Sequence, residues 1–347
     1  MTCIYWRRST LNMHWEHFAM WAGIRWRLKR KWYNHLCKTI FSTPPVQSHK
    51  DGVVIFSMIG TEVMTPYLVA AKSLHHHLKR GRMVIMDDGT LTDRDRSVLR
   101  QHLDNPRIIS IRDIDTGPCP RGGTWERLLT ILDLCADDYV IQLDSDTVTI
   151  GPVPHIQQAI AANSSFTLLG AETDIDSILS VDEFTRNFFP DGQPGQEDFE
   201  GHIQGVVESI LTQLRIPDLE HPRYVRGCSG FAGFARGNNR RIATAFSQAV
   251  STLVGPQRWK EWGTEQVTSN FVIANNDNAR VLPPASYINY WGSPPSADVR
   301  FLHFVGTYRW HGFEYPRRSR DAIRALNDAN RDRSNTGTDL KGTYSLQ

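Results

Sequence analysis

The stretch that decides the fold is Asp138-Tyr139-Val140-Ile141-Gln142-Leu143-Asp144-Ser145-Asp146-Thr147, an apolar run that ends in two aspartates. Its central residues, 139–143, have the composition of a strand buried in a parallel sheet. On an extended backbone the side chains at i and i+2 lie on the same side, so Asp144 and Asp146 would point together from the strand's carboxyl end. Two hard oxygen ligands on one side suit Mg²⁺ or Mn²⁺, and the alternative is an ordinary solvated turn.

Around this stretch, apolar runs alternate with helical patterns through residues 51–317. Strands are predicted at 53–57, 83–86, 107–111 and 139–143, with helices at 65–80, 92–103 and 125–135 between them. This order predicts an α/β fold with a mostly parallel, Rossmann-like central sheet, flanking helices and ligands at the carboxyl ends of the strands. Past residue 151 the pattern is weaker, with strands expected at 165–170, 231–235, 279–282 and 299–304 and helices at 202–214, 238–253 and 264–274.

Composition excludes several classes of protein. The chain of 347 residues is 40% hydrophobic and 22% charged, which is typical of a globular protein rather than a disordered one. Its five cysteines are scattered without CxxC spacing, which argues against a disulfide framework or a thiolate zinc site and suits a cytoplasmic location. The sequence has no uncharged apolar run of 18 residues, so no spanning helix is expected.

Charge is distributed unevenly along the chain. Residues 1–50 hold nine Lys or Arg against one acidic residue, Glu16, and five of the ten tryptophans. Since the whole chain is +2, residues 51–347 are −6. The mildly acidic body argues against nucleic-acid binding. We interpret 1–50 as a separate segment with a basic amphipathic helix. It contacts an anionic inner-membrane surface through residues 1–40, packs on the catalytic domain, or serves as a partner-binding arm.

Three motifs together resemble the retaining GT-A glycosyltransferases of family 8. Thr124-Trp125-Glu126-Arg127-Leu128, followed by a helix and the 138–147 stretch, is similar to that family's aromatic-x-Arg-Leu helix and its strand ending in Asp-x-Asp. His303-Phe304-Val305-Gly306-Thr307-Tyr308-Arg309-Trp310 resembles the closing motif HxxGxxKPW, with Arg309 for Lys and Trp310 at the Pro position. Trp262-Gly263-Thr264-Glu265-Gln266 resembles the family's acidic-Gln element, with Glu265 where Asp is usual.

The resemblance implies a metal-dependent transferase with a nucleotide-sugar donor, most simply a UDP-sugar. Asp144 and Asp146, which flank Ser145 in the donor-binding turn, would bind Mn²⁺ or Mg²⁺ together with His303. Gly306 would let the backbone approach the diphosphate, and Arg309 would pair with phosphate oxygens, a task that suits a planar guanidinium. The acceptor would be a glycan, a lipid-linked molecule or a protein.

The same resemblance assigns the residues around the sugar. Glu265 would hold donor hydroxyls, Gln266 would lie near the anomeric carbon, and Arg127 would reach the phosphate or the sugar. Transfer would retain the anomeric configuration. Asp88, at the end of the second predicted strand, is expected near the uracil or ribose, although an Asp-Gly turn without a ligand explains it equally well.

Two other functions remain open from the sequence. A sugar nucleotidyltransferase on a similar sheet usually carries a basic, Gly-rich loop after its first strand, and the corresponding residues 58–62 contain no Lys or Arg. A non-catalytic nucleotide-sugar-binding scaffold would explain the altered positions Glu265 and Trp310.

Two further segments carry predictions. Residues 318–347 are expected to form one short helix near 319–326, with Ser319 as its N-cap, and a disordered polar tail. His75-His76-His77 is interpreted as a solvated helix face, because consecutive helical residues point in different directions and cannot converge on one ion.

Overall fold

The computed structural model describes residues 14–190 and 201–339, with side chains from 25 to 190 and from 201 to 331. Its strands are β1 (Val53–Ile59), β2 (Arg82–Asp87), β3 (Arg107–Ser110), β4 (Tyr139–Leu143), β5 (Thr147–Thr149), β6 (Phe166–Leu169), β7 (Leu179–Ser180), β8 (Arg223–Tyr224), β9 (Gly227–Phe234), β10 (Arg280–Val281), β11 (Tyr287–Asn289) and β12 (Phe301–His303). Its α-helices are α1 (His14–Leu36), α2 (Met64–Leu78), α3 (Asp93–His102), α4 (Trp125–Leu134), α5 (Pro154–Ala161), α6 (Val181–Phe188), α7 (Ile203–Ser209), α8 (Arg240–Val254), α9 (Thr264–Ala274) and α10 (Glu314–Asp339).

A seven-stranded sheet forms the centre of the molecule, in the order β10-β6-β9-β4-β1-β2-β3. β3, β2, β1 and β4 are parallel, while β9 runs antiparallel to both of its neighbours, β4 and β6. The predicted α/β class with a mostly parallel sheet is therefore confirmed. β4, which carries the aspartates, lies between β1 and β9 and is paired on both edges.

Helices cover both faces of this sheet because the strand side chains alternate between two cores. In β1, Val53 and Ile55 pack into a core with α2, α3, α5 and α10, whereas Val54 and Phe56 pack into a second core with α4, α7, α8 and α9. This alternation follows from the pleat, which turns successive side chains to opposite faces. Both faces are apolar, which explains why the strand reads as an uninterrupted apolar run.

A second, small sheet brings the C-terminal part of the chain to the end of β4. Its order is β11-β12-β5, with β12 parallel to β11 and antiparallel to β5. Because β5 begins immediately after the aspartate turn, the partner strand β12 must lie beside that turn. His303, the last residue of β12, is in register with Thr147 of β5.

The described C-terminal half of α1 packs on the domain, which was one of the alternatives for the N-terminal segment. Tyr33 is buried, stacks on Tyr315 with ring centroids 4.4 Å apart, and its hydroxyl lies 2.8 Å from Ser319 Oγ. Cys37 and Ile40, just after the helix, are fully buried. No helix among the described residues combines the length and the apolar character needed to cross a membrane.

Two local predictions were wrong. The helix expected at 319–326 is part of α10, which begins at Glu314, so Ser319 lies inside the helix and bonds to Tyr33 instead of acting as an N-cap. His75 does not belong to a solvated face, because only 8% of it is exposed. The remaining predicted tail, 340–347, lies outside the described residues.

Candidate metal centre

The two aspartates and the histidine converge at the carboxyl end of β4. Asp144 follows β4 directly and Asp146 precedes β5. Pairing of β12 with β5 places His303 beside the same turn. One ligand atom from each residue lies within 4.8 Å of the other two, and the distance from His303 Nε2 to Asp146 Oδ1 is 3.3 Å. Among the described residues this is the single group of three or more acidic, His or Cys side chains with such geometry.

The orientation of His303 is fixed by neighbours on its far side. Its Nδ1 lies 2.8 Å from Asn289 Oδ1 and 3.4 Å from Cys228 Sγ. Because Asn289 Oδ1 is an acceptor, Nδ1 carries the proton, and Nε2 is the nitrogen that faces Asp146. Although burial alone would lower it, the pKa of His303 is well above its usual value, since Cys228 and Asp146 favour the charged ring.

Space for the imidazole comes from a glycine in β9. A Cβ built on Gly230 would lie 2.2 Å from Cε1 and 2.5 Å from Nε2 of His303, far inside contact distance. The Gly230 carbonyl also accepts a hydrogen bond of 2.9 Å from the Asp144 amide. Gly230 therefore anchors one ligand and makes room for another, so close packing accounts for a glycine at this position.

Arg127 and Glu265 form a buried chain of charges that ends on Asp144. Arg127 donates to Asp144 Oδ1 at 2.8 Å and to Glu265 Oε2 at 3.0 Å. The starts of α4 and α9 are joined by a 2.9 Å bond from Trp125 Nε1 to Thr264 Oγ1, which holds the two charged residues together. Glu265 Oε1 and Arg127 Nε are buried without a hydrogen-bond partner. Burial raises the pKa of Glu265, and Arg127 opposes that rise.

Arg309 closes the other side of the aspartate turn. Its guanidinium forms an ion pair with Asp146, and its Nε donates to the Gly306 carbonyl at 2.8 Å. Gly306 has a φ of 46°, a left-handed conformation that starts the tight 306–310 turn and favours glycine. The guanidinium also lies over the Trp26 ring of α1, 5.1 Å from its centroid.

These residues suit a hard divalent cation. Two carboxylates and the imidazole Nε2, which gives up its proton when it binds a metal, are a donor set that Mn²⁺ and Mg²⁺ accept, and Asn289 supplies the outer hydrogen bond that orients a ligating histidine. Despite burial, which raises it, the pKa of Asp146 is lowered by His303 and Arg309, so this carboxylate is ionised at neutral pH. Asp144 keeps 33% of its side chain exposed, which leaves the turn accessible from solvent.

The other predicted residues lie in different surroundings. Ser145 is half-buried within the turn. Gln266 accepts from Ser229 Oγ at 3.2 Å and donates to Gln204 at 3.2 Å, which places it between β9 and α7. Asp88 accepts hydrogen bonds from the amide and hydroxyl of Thr90, at 2.9 and 2.6 Å, in a turn two strands away from β4. This agrees with the alternative explanation, in which Asp88 only forms a turn. Contact of Asp88 with a nucleotide stays a prediction.

Three residues at this centre were missed by sequence reasoning. Asn289 orients His303, Trp26 stacks on Arg309, and Gly230 leaves space for the His303 imidazole ring. Only Gly230 stood in a recognisable pattern, the small-residue run 227–233. Asn289 and Trp26 carry no local signal, because each acts through a partner far away in the chain.

Comparison with known proteins gives structural neighbours alone. No family model and no curated protein sequence matches the chain. The bifunctional glycosyltransferase WbbM aligns with 80% of this chain and 51% of its own, at 10% identity and a TM-score of 0.47. The galactosyltransferase LgtC aligns with 78% of this chain and 95% of its own, at 13% identity and a TM-score of 0.44.

A third neighbour, mouse xyloside xylosyltransferase 1, aligns with 75% of this chain and 98% of its own, at 11% identity and a TM-score of 0.37. The chain spans about half the length of WbbM. All three neighbours are glycosyltransferases, the class that the sequence motifs resemble. Likenesses this distant do not assign an activity, which is inferred below from the site itself.

Proposed function

We propose that this chain is a metal-dependent glycosyltransferase that uses a nucleotide-sugar donor. The observation that carries the proposal is the convergence of Asp144, Asp146 and His303 within 4.8 Å of one another at the carboxyl end of β4. Ligands of open α/β sheets bind at this edge. The two guanidinium groups that flank the turn, from Arg127 and Arg309, add the positive charge that a diphosphate requires.

In this mechanism the chain binds the donor's diphosphate and stabilises it as it departs. A divalent ion held by Asp144, Asp146 and His303 would supply Lewis-acid stabilisation of the leaving nucleoside diphosphate. Arg309, preorganised by Gly306 and Trp26, would exchange its pairing with Asp146 for phosphate oxygens as negative charge develops there.

Around the sugar, we assign Glu265 to the donor hydroxyls because its Oε1 is buried without a partner. Arg127 would orient that carboxylate while also fixing Asp144. Gln266 would lie toward the anomeric carbon, on the β9 side of the site. UDP as the nucleotide, Mn²⁺ as the ion and retention of configuration are taken from the motif resemblance and form part of this proposal.

Turnover of the donor separates the three candidate functions. Purified chain is incubated with a panel of UDP-sugars and Mn²⁺, and release of UDP and free sugar is measured with and without EDTA. Metal-dependent donor hydrolysis supports the transferase. Pyrophosphate-dependent exchange supports a nucleotidyltransferase, and UDP binding without turnover supports a scaffold, so either result contradicts the proposal.

Two variants make this assay specific. Asp144→Asn removes a metal ligand while keeping the size of the side chain, and we expect it to abolish hydrolysis without unfolding the chain. Asp88→Asn, in the turn two strands away, is the comparison. If Asp88 contacts the nucleotide, the variant raises KM for the donor with little change in kcat; if it only closes the turn with Thr90, KM is unchanged.

We further propose that the protein is cytoplasmic and that α1 contacts an anionic membrane surface, which would make the protein peripheral to the inner membrane. Leu28, Trp32 and Phe313 are exposed by 61%, 43% and 45%, and Arg25 and Arg27 beside them are also exposed. Aromatic and cationic side chains on one surface favour the lipid headgroup region.

A sedimentation assay with vesicles containing phosphatidylglycerol tests the membrane proposal. Removing residues 1–45 would delete buried Tyr33, Cys37 and Ile40, so point variants replace truncation. Trp32→Ser should reduce sedimentation, whereas Trp262→Ser, at a tryptophan that is 74% exposed on another part of the surface, should not. Equal sedimentation of wild type and Trp32→Ser would contradict the proposal.

A further inference from the structure

A cavity of about 230 Å³ lies far from the metal centre, between the connector before β1, α2 and α10. It sits at the C-terminal end of α2, where the chain turns into β2. That is the amino-terminal edge of the central sheet, whereas the metal centre lies at the carboxyl edge. The cavity therefore does not belong to the site described above.

The cavity wall is basic. Five of the described side chains that line it are Lys or His, and none is Asp or Glu: His49, Lys72, His75, His76 and Lys79. Lys72, His75 and His76 occupy positions i, i+3 and i+4 of α2, the spacing that puts side chains on one helix face, and Lys79 directly follows the helix. A concave surface with charges of a single sign concentrates ligands of the opposite sign.

Lys72 forms the floor of the cavity and lacks an acidic partner. Only 1% of the residue is exposed, and Nζ lies 3.3 Å from the Thr43 carbonyl and 3.0 Å from His102 Nδ1. No carboxylate of the described residues forms a salt bridge with it. A buried ammonium without a counter-ion is costly, and burial accordingly lowers the pKa of Lys72 to about 8.

His75 contributes a second unsatisfied group. It is 8% exposed, its ring stacks on His49 with centroids 5.6 Å apart, and its Nε2 is buried without a hydrogen-bond partner. A metal ion does not explain this arrangement, because the histidines of the cavity do not converge as a ligand group among the described residues. An anion does, since it can pair with Lys72 and hydrogen-bond to the imidazole.

We propose that this cavity is a binding site for a phosphate group, independent of the donor site. Phosphate oxygens would accept from the Lys72 and Lys79 ammonium groups. Nε2 of His75 would be satisfied in either protonation state, by donating to a phosphate oxygen or by accepting from a phosphate hydroxyl. The cavity volume admits a phosphate monoester, whether a soluble sugar phosphate or the headgroup of phosphatidic acid.

Calorimetric titration with inorganic phosphate, in buffer without divalent metal, tests the site on the full chain. Lys79→Gln and His75→Gln should each weaken phosphate binding by about tenfold, the expected effect of losing one hydrogen bond to a charged group. His77→Gln is the matched control, because His77 follows on the same helix without lining the cavity. Arg309→Gln, at the metal centre, should also leave phosphate binding unchanged.

The outcomes separate the cavity from other binding. The proposal is overturned if phosphate shows no saturable binding to the wild type, or if Lys79→Gln and His75→Gln both bind phosphate with wild-type affinity. It is also overturned if Arg309→Gln is the one variant that loses phosphate binding. Parallel titrations with glucose 6-phosphate and with phosphatidic acid vesicles then distinguish a soluble from a lipid source. Because donor hydrolysis is measured separately, failure here leaves the proposed transferase function untouched.

Discussion

Replacing Gly230 by alanine tests whether the metal centre depends on the position of one imidazole ring. The added Cβ would lie 2.2 Å from Cε1, 2.5 Å from Nε2 and 2.6 Å from Nδ1 of His303. Carbon atoms pack at about 3.5 Å or more, so the ring would have to retreat by about 1 Å. His303 is 6% exposed and bonded to Asn289 at 2.8 Å, so it has little room for that shift.

A displacement of this size exceeds what a metal ligand tolerates, because ligand distances are held to within about 0.2 Å. Loss of a hydrogen bond that orients a ligating histidine typically weakens metal binding by about 10- to 100-fold, and we expect a loss of that order for Mn²⁺ in Gly230→Ala. Overpacking should also cost about 1–3 kcal/mol of the free energy of unfolding. The variant is therefore expected to fold, with a lower Tm.

Isothermal titration of Mn²⁺ in the presence of UDP measures the effect. The matched control is Gly233→Ala in the same strand, whose Cβ would lie 2.3 Å from Phe166 Cε1 and 2.6 Å from Tyr139 Oη. Both variants overpack β9, but only Gly230→Ala presses on a ligand. Wild-type Mn²⁺ affinity in Gly230→Ala, or an equal loss in both variants, would refute the reasoning.

Three further predictions follow from the same contacts. Trp26→Leu removes the contact that orients Arg309 and should raise the Kd for UDP with Mn²⁺ roughly two- to fivefold, as expected for the loss of an accessible cation–π contact. Trp32→Leu, on the same helix, should leave this Kd unchanged. Asn289→Leu should weaken Mn²⁺ binding by about 10- to 100-fold through His303, as measured by titration, while the central sheet stays folded by circular dichroism. Lys72 binds fewer protons in the folded state than in the unfolded state between pH 8 and its ordinary pKa of 10.5, so the free energy of unfolding should rise with pH through that window. Urea unfolding should show that the wild type gains up to about 3 kcal/mol relative to Lys72→Met across this range. A difference between the two proteins that does not change with pH would contradict the buried charge.

Local signals explain what could be predicted of the fold. The strand at Tyr139–Leu143 and the helix at Thr264–Ala274 have the predicted bounds, because an unbroken apolar run and a helical period are properties of the segment itself. The predicted helix at 92–103 is α3, with Thr92 as its N-cap and Asp95 completing a capping box. The pairing of His303 with Asp144 and Asp146 came from the motif resemblance, because no local pattern relates residues so far apart in the chain.

Tertiary contacts explain what was missed. β9 begins at Gly227, four residues before the predicted start. The glycines of this segment are weak strand formers, and Gly230 and Gly233 leave room for His303 and Phe166. α10 continues past residue 326 although its composition suggested a disordered tail. Its burial against α1 is mediated by Tyr315 and Ser319, which no local pattern reveals.

Electron paramagnetic resonance of Mn²⁺ bound to the full chain with UDP tests the central claim most directly. The proposed coordination by Asp144, Asp146 and His303 predicts one bound ion per chain, hyperfine broadening when His303 is labelled with ¹⁵N, and loss of the bound signal in Asp146→Asn. Stoichiometric Mn²⁺ binding that persists unchanged in Asp146→Asn and in His303→Ala would contradict it.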